Sequence, residues 1–137
     1  MSRRTAVDSS VLIEILIGAP NSAASETALR GALALGQVQV CDVVVVEVCS
    51  ALRDGNLVMQ ILGDIGIRYS EVGEQAAICA GQMQRSYRAR GGTRARTVPD
   101  FIVGAHALLQ CNALLTRDAG FFRDYFLGLE LIVPQAS

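Results

Sequence analysis

The sequence predicts a parallel α/β domain, on three observations. Short apolar runs alternate with longer stretches of helical periodicity from one end of the chain to the other. Hydrophobic residues make up 51% and charged residues 18%, the balance of a chain that folds around a core. At 137 residues, with no repeat and no linker-like stretch, there is room for one such core.

The elements follow in order. Thr5-Ala6-Val7 reads as a brief strand ending at Asp8, and Ser9 or Ser10 can cap a helix over Val11 to Ile17. Gly18-Ala19-Pro20-Asn21 breaks it, and Ser22 begins a second helix through Leu35 with Gly36 as its stop. Gln37 to Val40 is the second strand. The valine run 43–46 favours extended structure by its branching. Against that, Asp42 is a good N-cap, and Val45, Val48, Cys49 and Leu52 recur at helical spacing, so we read a helix.

Leu57 to Leu62 is a helix stopped by Gly63, Ile67-Arg68-Tyr69 an edge-like strand, and Glu74 to Arg88 a long helix. Gly91-Gly92-Thr93 then forms a hinge in an arginine-rich loop. Val98 to Gln110 is the next helix, with Pro99 suited to its first turn and Asn112 at its end. Ala113 to Thr116 is a buried strand, Phe121 to Phe126 a short helix, and Leu129 to Val133 a last strand.

Composition excludes several chemistries. The net charge is −1 and the pI near 5.8, so any attraction to phosphate must be local. Every basic side chain is an arginine, which rules out lysine-dependent mechanisms. His106 is the single histidine, which rules out a two-histidine ribonuclease. Cys41, Cys49, Cys79 and Cys111 form no C-x-x-C pair and read as reduced core thiols. Asp8 and Glu14 interrupt the chain soon after Arg3-Arg4, and no run approaches a membrane span, so a cytoplasmic protein is expected.

The acids are the informative residues. In open α/β sheets, ligands bind beyond the carboxyl ends of the strands. Asp8 follows the first strand, Asp118 follows the strand ending at Thr116, Asp100 lies in the first turn of a helix, and Glu47 lies early in the helix after strand two. Four carboxylates placed so can converge on one rim. They would repel one another unless a cation intervened, and hard oxygen donors suit Mg²⁺ or Mn²⁺. A divalent ion there points to phosphoryl transfer on nucleic acid. Each acid also has an ordinary alternative: Asp8 and Asp100 as helix N-terminal acids, Asp118 as a turn residue, Glu47 as a solvated helix position.

Three segments carry a family resemblance. They are Ala6-Val7-Asp8-Ser9-Ser10-Val11-Leu12-Ile13, Val46-Glu47-Val48-Cys49-Ser50-Ala51-Leu52, and the run from Val98 to Phe122. Together they resemble the PIN domain, the nuclease domain of VapC-type toxins in bacterial toxin–antitoxin pairs. The most specific part runs from Pro99-Asp100 through Thr116-Arg117-Asp118: an acid, an alanine-rich helix, a strand and a second acid. The resemblance implies a three-layer α/β/α sandwich with a central parallel sheet, and a metal-dependent endoribonuclease that leaves a 5′-phosphate and a 3′-hydroxyl. It implies that Asp8, Glu47, Asp100 and Asp118 hold Mg²⁺ or Mn²⁺. Ser9 falls at the family's hydroxyl position after the first acid, and Thr116 at the polar position before the last. It further implies an antitoxin partner and a homodimer, met through exposed parts of the early helices.

Arg85, Arg88, Arg90, Arg94 and Arg96 cluster just before Asp100. They read either as contacts to RNA phosphates or as a solvated helix end. Arg117 and Arg123 flank Asp118, to reach the phosphate or to pair with neighbouring acids; His106, mid-helix, reads as a core or partner-facing side chain. A phosphoacceptor signalling domain needs a lysine, and a haloacid-dehalogenase-type phosphatase needs a lysine and an acid where Ser10 stands. A PIN-like module that binds RNA or protein without cutting is the rival that survives.

Overall fold

The computed structural model describes residues 3–92 and 97–135. Five parallel strands, β1 (Arg3–Val7), β2 (Gly36–Cys41), β3 (Ile67–Ser70), β4 (Ala113–Leu115) and β5 (Glu130–Ile132), form one sheet in the order β3-β2-β1-β4-β5. Between them, among the described residues, run seven helices: α1 (Ser9–Leu16), α2 (Ser22–Leu35), α3 (Asp42–Ala51), α4 (Gly55–Ile65), α5 (Glu74–Ala89), α6 (Val98–Gln110) and α7 (Ala119–Tyr125). The strand order reverses direction between β1 and β4. Because parallel crossovers are right-handed, a sheet that reverses carries helices on both faces and opens a crevice at the reversal.

The central strands are buried on both sides: Val7, Val38, Val40, Leu114 and Leu115 are at most 1% exposed. In β4 this reads as a continuous apolar run, whereas β2 alternates Val38 and Val40 with half-buried Gln37 and Gln39. All four phenylalanines, with Tyr87 and Tyr125, make one aromatic cluster joining α5, α6 and α7. Gly104 is what lets α6 approach: a Cβ there would lie 2.4 Å from the Phe126 ring.

The element order agrees with the sequence reading, and the valine run is helical in α3. Several boundaries differ for physical reasons. Asp8, extended at φ −78° and ψ 151°, takes the N-cap position of α1, so Ser9 and Ser10 lie inside the helix and their hydroxyls serve the acids. Cys41, not Asp42, is the N-cap residue of α3, and Asp42 stands in its first turn. The stop of α4 is Gly66, at φ +106°, and not Gly63; the start is earlier too, where Asp54 accepts a hydrogen bond from the Leu57 N–H at 3.1 Å. Helix α6 ends at Cys111, which frees Asn112 to exchange 2.7 Å hydrogen bonds with both backbone groups of Arg4.

The four cysteines are free thiols, but only Cys41 is buried; the other three are half-buried. His106 is a core residue, 1% exposed, with Nε2 3.1 Å from the Ser70 hydroxyl, and burial pushes its pKa down. Gly91, at φ +82°, and Gly92 close the end of α5 through hydrogen bonds to the Arg88 and Tyr87 carbonyls. Thr93, with Arg94 and Arg96 of the arginine cluster, lies outside the described residues. No helix among the described residues is long and apolar enough to cross a membrane.

Candidate active site

The site lies at the reversal point, where the carboxyl ends of β1 and β4 are neighbours in register: Val7 pairs with Leu115, and the ladder continues with the Asp8 N–H donating to the Leu115 carbonyl at 2.9 Å. Each strand releases a polar residue onto this rim as it ends. From β1 comes Asp8, and from β4 come Thr116, fully buried, and then Asp118. The Thr116 hydroxyl donates to Asp8 Oδ2 at 2.7 Å and accepts from the Asp118 N–H at 2.9 Å. Ser10 also donates to Asp8 Oδ2, at 3.1 Å.

Glu47 enters from α3, half-buried, and its Oε1 accepts from the Ser9 hydroxyl at 3.0 Å. Asp100 enters from the first turn of α6. Its Oδ2 accepts from the Thr97 N–H at 3.0 Å and lies 3.4 Å from the Thr97 hydroxyl, so the carboxylate caps the helix, while its charge acts on Asp8 and Glu47. Its ordinary role as a helix-start acid and its place on the rim therefore coexist.

The electrostatics tie three of the acids together. Burial raises the Asp8 carboxyl above its usual range; the Thr116, Ser10 and Ser9 hydrogen bonds oppose the rise, and the charge of Asp100 adds to it. Burial likewise raises Glu47, against the Ser9 hydrogen bond, with the charges of Asp8 and Asp100 adding to the rise. The charge of Asp100 thus reaches both Asp8 and Glu47, and that of Asp8 reaches Glu47. Among the described residues, however, no three His, Cys, Asp or Glu side chains stand close enough to form a ready-made metal cage.

Arg117 has its guanidinium engaged elsewhere. It pairs with Glu14 of α1 at 2.7 Å and donates to the carbonyls of Asn21 at 3.2 Å and Pro134 at 3.4 Å. Glu14 also accepts from buried Ser25 at 2.8 Å. Arg85, Arg88 and Arg90 are exposed along the end of α5, with Arg90 5.3 Å from the centre of the Tyr125 ring.

Sequence reasoning missed three contributors. Thr97 was visible as the first residue of a T-x-x-D capping pattern. Ser10 and Glu14 gave no signal of their own for their bonds to Arg117, which lies more than a hundred residues away from each.

Comparison with known proteins completes the picture. The family model described as PIN domain matches residues 5–126, nearly the whole chain. The chain belongs to the PIN domain family. PIN domains are typically nucleases. This PIN domain shares its fold with a chain of VapBC2 from Rickettsia felis, solved bound to a DNA fragment from its promoter: TM-score 0.75 and 12% identity over 96% of this chain and 99% of that one. It is similar in fold to a chain of FitAcB from Neisseria gonorrhoeae, with TM-score 0.69 and 19% identity over 95% and 97% of the two chains. A chain of a toxin–antitoxin complex from Klebsiella pneumoniae gives TM-score 0.68 and 18% identity over 97% and 99%. No curated protein sequence matches it.

Proposed function

We propose that this PIN domain is a divalent-metal-dependent endoribonuclease and the toxin of a type II toxin–antitoxin pair. The observation that carries the catalytic part is the acidic carboxyl edge: Asp8 and Glu47 are both raised, first by burial, with the charge of Asp100 adding to both and that of Asp8 adding to Glu47. Carboxylates that raise one another's pKa are relieved by a cation, and an all-oxygen donor set fits Mg²⁺ or Mn²⁺. Asp8, Glu47, Asp100 and Asp118 are the residues that would hold it. When bound, the ion supplies positive charge against the phosphodiester and acidifies water for hydrolysis. Ser9 and Thr116 orient Glu47 and Asp8 through their hydroxyls.

RNA is the substrate on this reading. Arg85, Arg88 and Arg90, exposed just ahead of the Asp100 helix in sequence, would meet its phosphates together with Arg94 and Arg96. The toxin assignment rests on fold likeness to chains of VapBC and FitAB assemblies, which carries the expectation of an antitoxin partner and a homodimer.

One observation favours a second reading, a module that binds RNA or protein without cutting: among the described residues the carboxyls are not gathered into a ready cage. A single experiment separates the two. Purified protein is incubated with structured RNA in Mg²⁺ or Mn²⁺, alongside Asp8→Asn, Asp100→Asn and a chelator control. The nuclease reading expects cleavage by the wild type alone and only with metal. Equal cleavage by wild type and variants, or cleavage that persists in chelator, defeats it.

A further inference from the structure

We propose that Ser10 is a positioning residue of the acidic rim, fastening the segment between β4 and α7 to the Asp8 carboxylate. The inference rests on the nuclease reading above and adds to it a residue that the acidic quartet does not include.

Two hydroxyls from different elements do matching work on the same carboxylate oxygen. Thr116, at the end of β4, donates to Asp8 Oδ2 at 2.7 Å and accepts from the Asp118 N–H at 2.9 Å. Ser10, in the first turn of α1, donates to the same Oδ2 at 3.1 Å and accepts from the Arg117 N–H at 3.3 Å. A hydroxyl carries one proton and two lone pairs, so each makes both bonds at once. Consecutive N–H groups of the 117–118 turn are thereby tied, each through one hydroxyl, to one oxygen of Asp8. Thr116 alone would leave the turn a hinge about its own strand. Ser10 supplies the second attachment, from another element, and two points fix an orientation where one does not.

The neighbouring serine marks the division of labour. Ser9 donates to Glu47 and Ser10 to Asp8, so adjacent residues orient two different acids. The turn is held at its far side as well, since the Arg117 guanidinium reaches Glu14, Asn21 and Pro134. Without the Ser10 hydroxyl, the half-buried Arg117 N–H loses its partner and the Asp8 carboxylate loses one of its donors. The side-chain anchor of Arg117 then holds the turn without aiming it at the rim.

The test uses the full chain with Ser10→Ala and Ser10→Thr, reading amide exchange at Arg117, affinity for Mn²⁺ alone, and RNA cleavage. Ser10→Ala is expected to keep its melting temperature within a few degrees and to exchange the Arg117 amide about tenfold faster. It should weaken Mn²⁺ binding and cleavage by about 10- to 100-fold, the usual cost of losing a partner that orients a metal ligand. Ser10→Thr, which keeps the hydroxyl, is expected to restore all three. A Ser10→Ala protein that equals the wild type in Mn²⁺ affinity and Arg117 exchange overturns the role while leaving the nuclease reading intact. Loss of protection throughout the chain also overturns it, as the mark of a general folding role. A wild type that neither binds Mn²⁺ nor cleaves overturns the nuclease reading, and this role with it.

Discussion

Thr116 donates its hydroxyl proton to Asp8 Oδ2 at 2.7 Å, a bond that joins the ends of two adjacent strands across 108 residues of sequence. Thr116 is wholly buried, and Asp8 is held where desolvation disfavours its charge. Thr116→Val keeps the shape and removes the donor, leaving both the carboxylate and the Asp118 N–H short of a partner. Stranding a buried polar group costs about 1–3 kcal/mol. The variant is expected to unfold that much more readily in urea and to lose cleavage at least tenfold. Unchanged stability would mean that water replaces the hydroxyl.

The raised carboxyls set a trade between stability and function. A folded-state acid whose pKa lies above its unfolded value binds more protons folded than unfolded as pH climbs from the ordinary value, about 3.9 for Asp, toward the raised one. Folding stability therefore falls across that window and stays lower above it. Asp8 and Glu47 both shift this way. Asp8→Asn and Glu47→Gln remove a crowded charge, so at pH 7 each is expected to melt above the wild type while cleaving no RNA. Mn²⁺ should raise the melting temperature of the wild type more than that of either variant. A melting temperature that drops at pH 7 in both would contradict the electrostatic account.

Most of this fold was legible because its signals are local. Helix α6 could be bounded at Val98 and Gln110 because Pro99 marks its first turn and apolar residues recur at helical spacing. Strand β1 announced itself as an apolar run broken by Asp8. What stayed hidden depends on groups brought together from afar. Whether Gly63 or Gly66 ends α4 turns on which backbone goes left-handed, and Gly66 does so because β3 must begin at once after it. The acids were visible as residue types at strand ends, for Asp8 and Asp118, and in the early turns of helices, for Glu47 and Asp100. That Ser9 serves Glu47 while Ser10 serves Asp8 follows from where α1 enters the crevice, and adjacent serines look alike in sequence.

Two glycines inside helices should respond to alanine with opposite signs. At Gly104 a Cβ would meet the Phe126 ring at 2.4 Å, and Phe126 is itself packed against Phe101, Phe121 and Phe122. Gly104→Ala is expected to cost about 1–3 kcal/mol through overpacking. At Gly63, exposed on α4, nothing lies within 4 Å of the added carbon. Gly63→Ala is expected to stabilise by about 0.5–1 kcal/mol through helix propensity alone. Chemical denaturation of the two variants side by side checks the pair, and destabilisation by both would show that α4 is packed differently.

The arginines at the end of α5 give a prediction with an internal ranking. Each phosphate contact to a single strand contributes a slope of about 0.7 to the fall of log affinity with log salt. Arg85 and Arg88 are exposed, and neither forms an ion pair among the described residues. Arg90 is partly committed: its guanidinium lies 5.3 Å from the Tyr125 ring, and its Nε lies 3.5 Å from the Ser86 carbonyl. Arg85→Gln and Arg88→Gln are each expected to lower the salt slope by about 0.7, and Arg90→Gln by less. Because phosphate contacts carry no sequence information, the losses should be equal across RNAs of different sequence. The measurement is RNA affinity against salt with the cleavage-dead Asp100→Asn chain. Slopes that do not change in Arg85→Gln or Arg88→Gln would leave that helix end as a solvated surface and move the RNA path elsewhere on the rim.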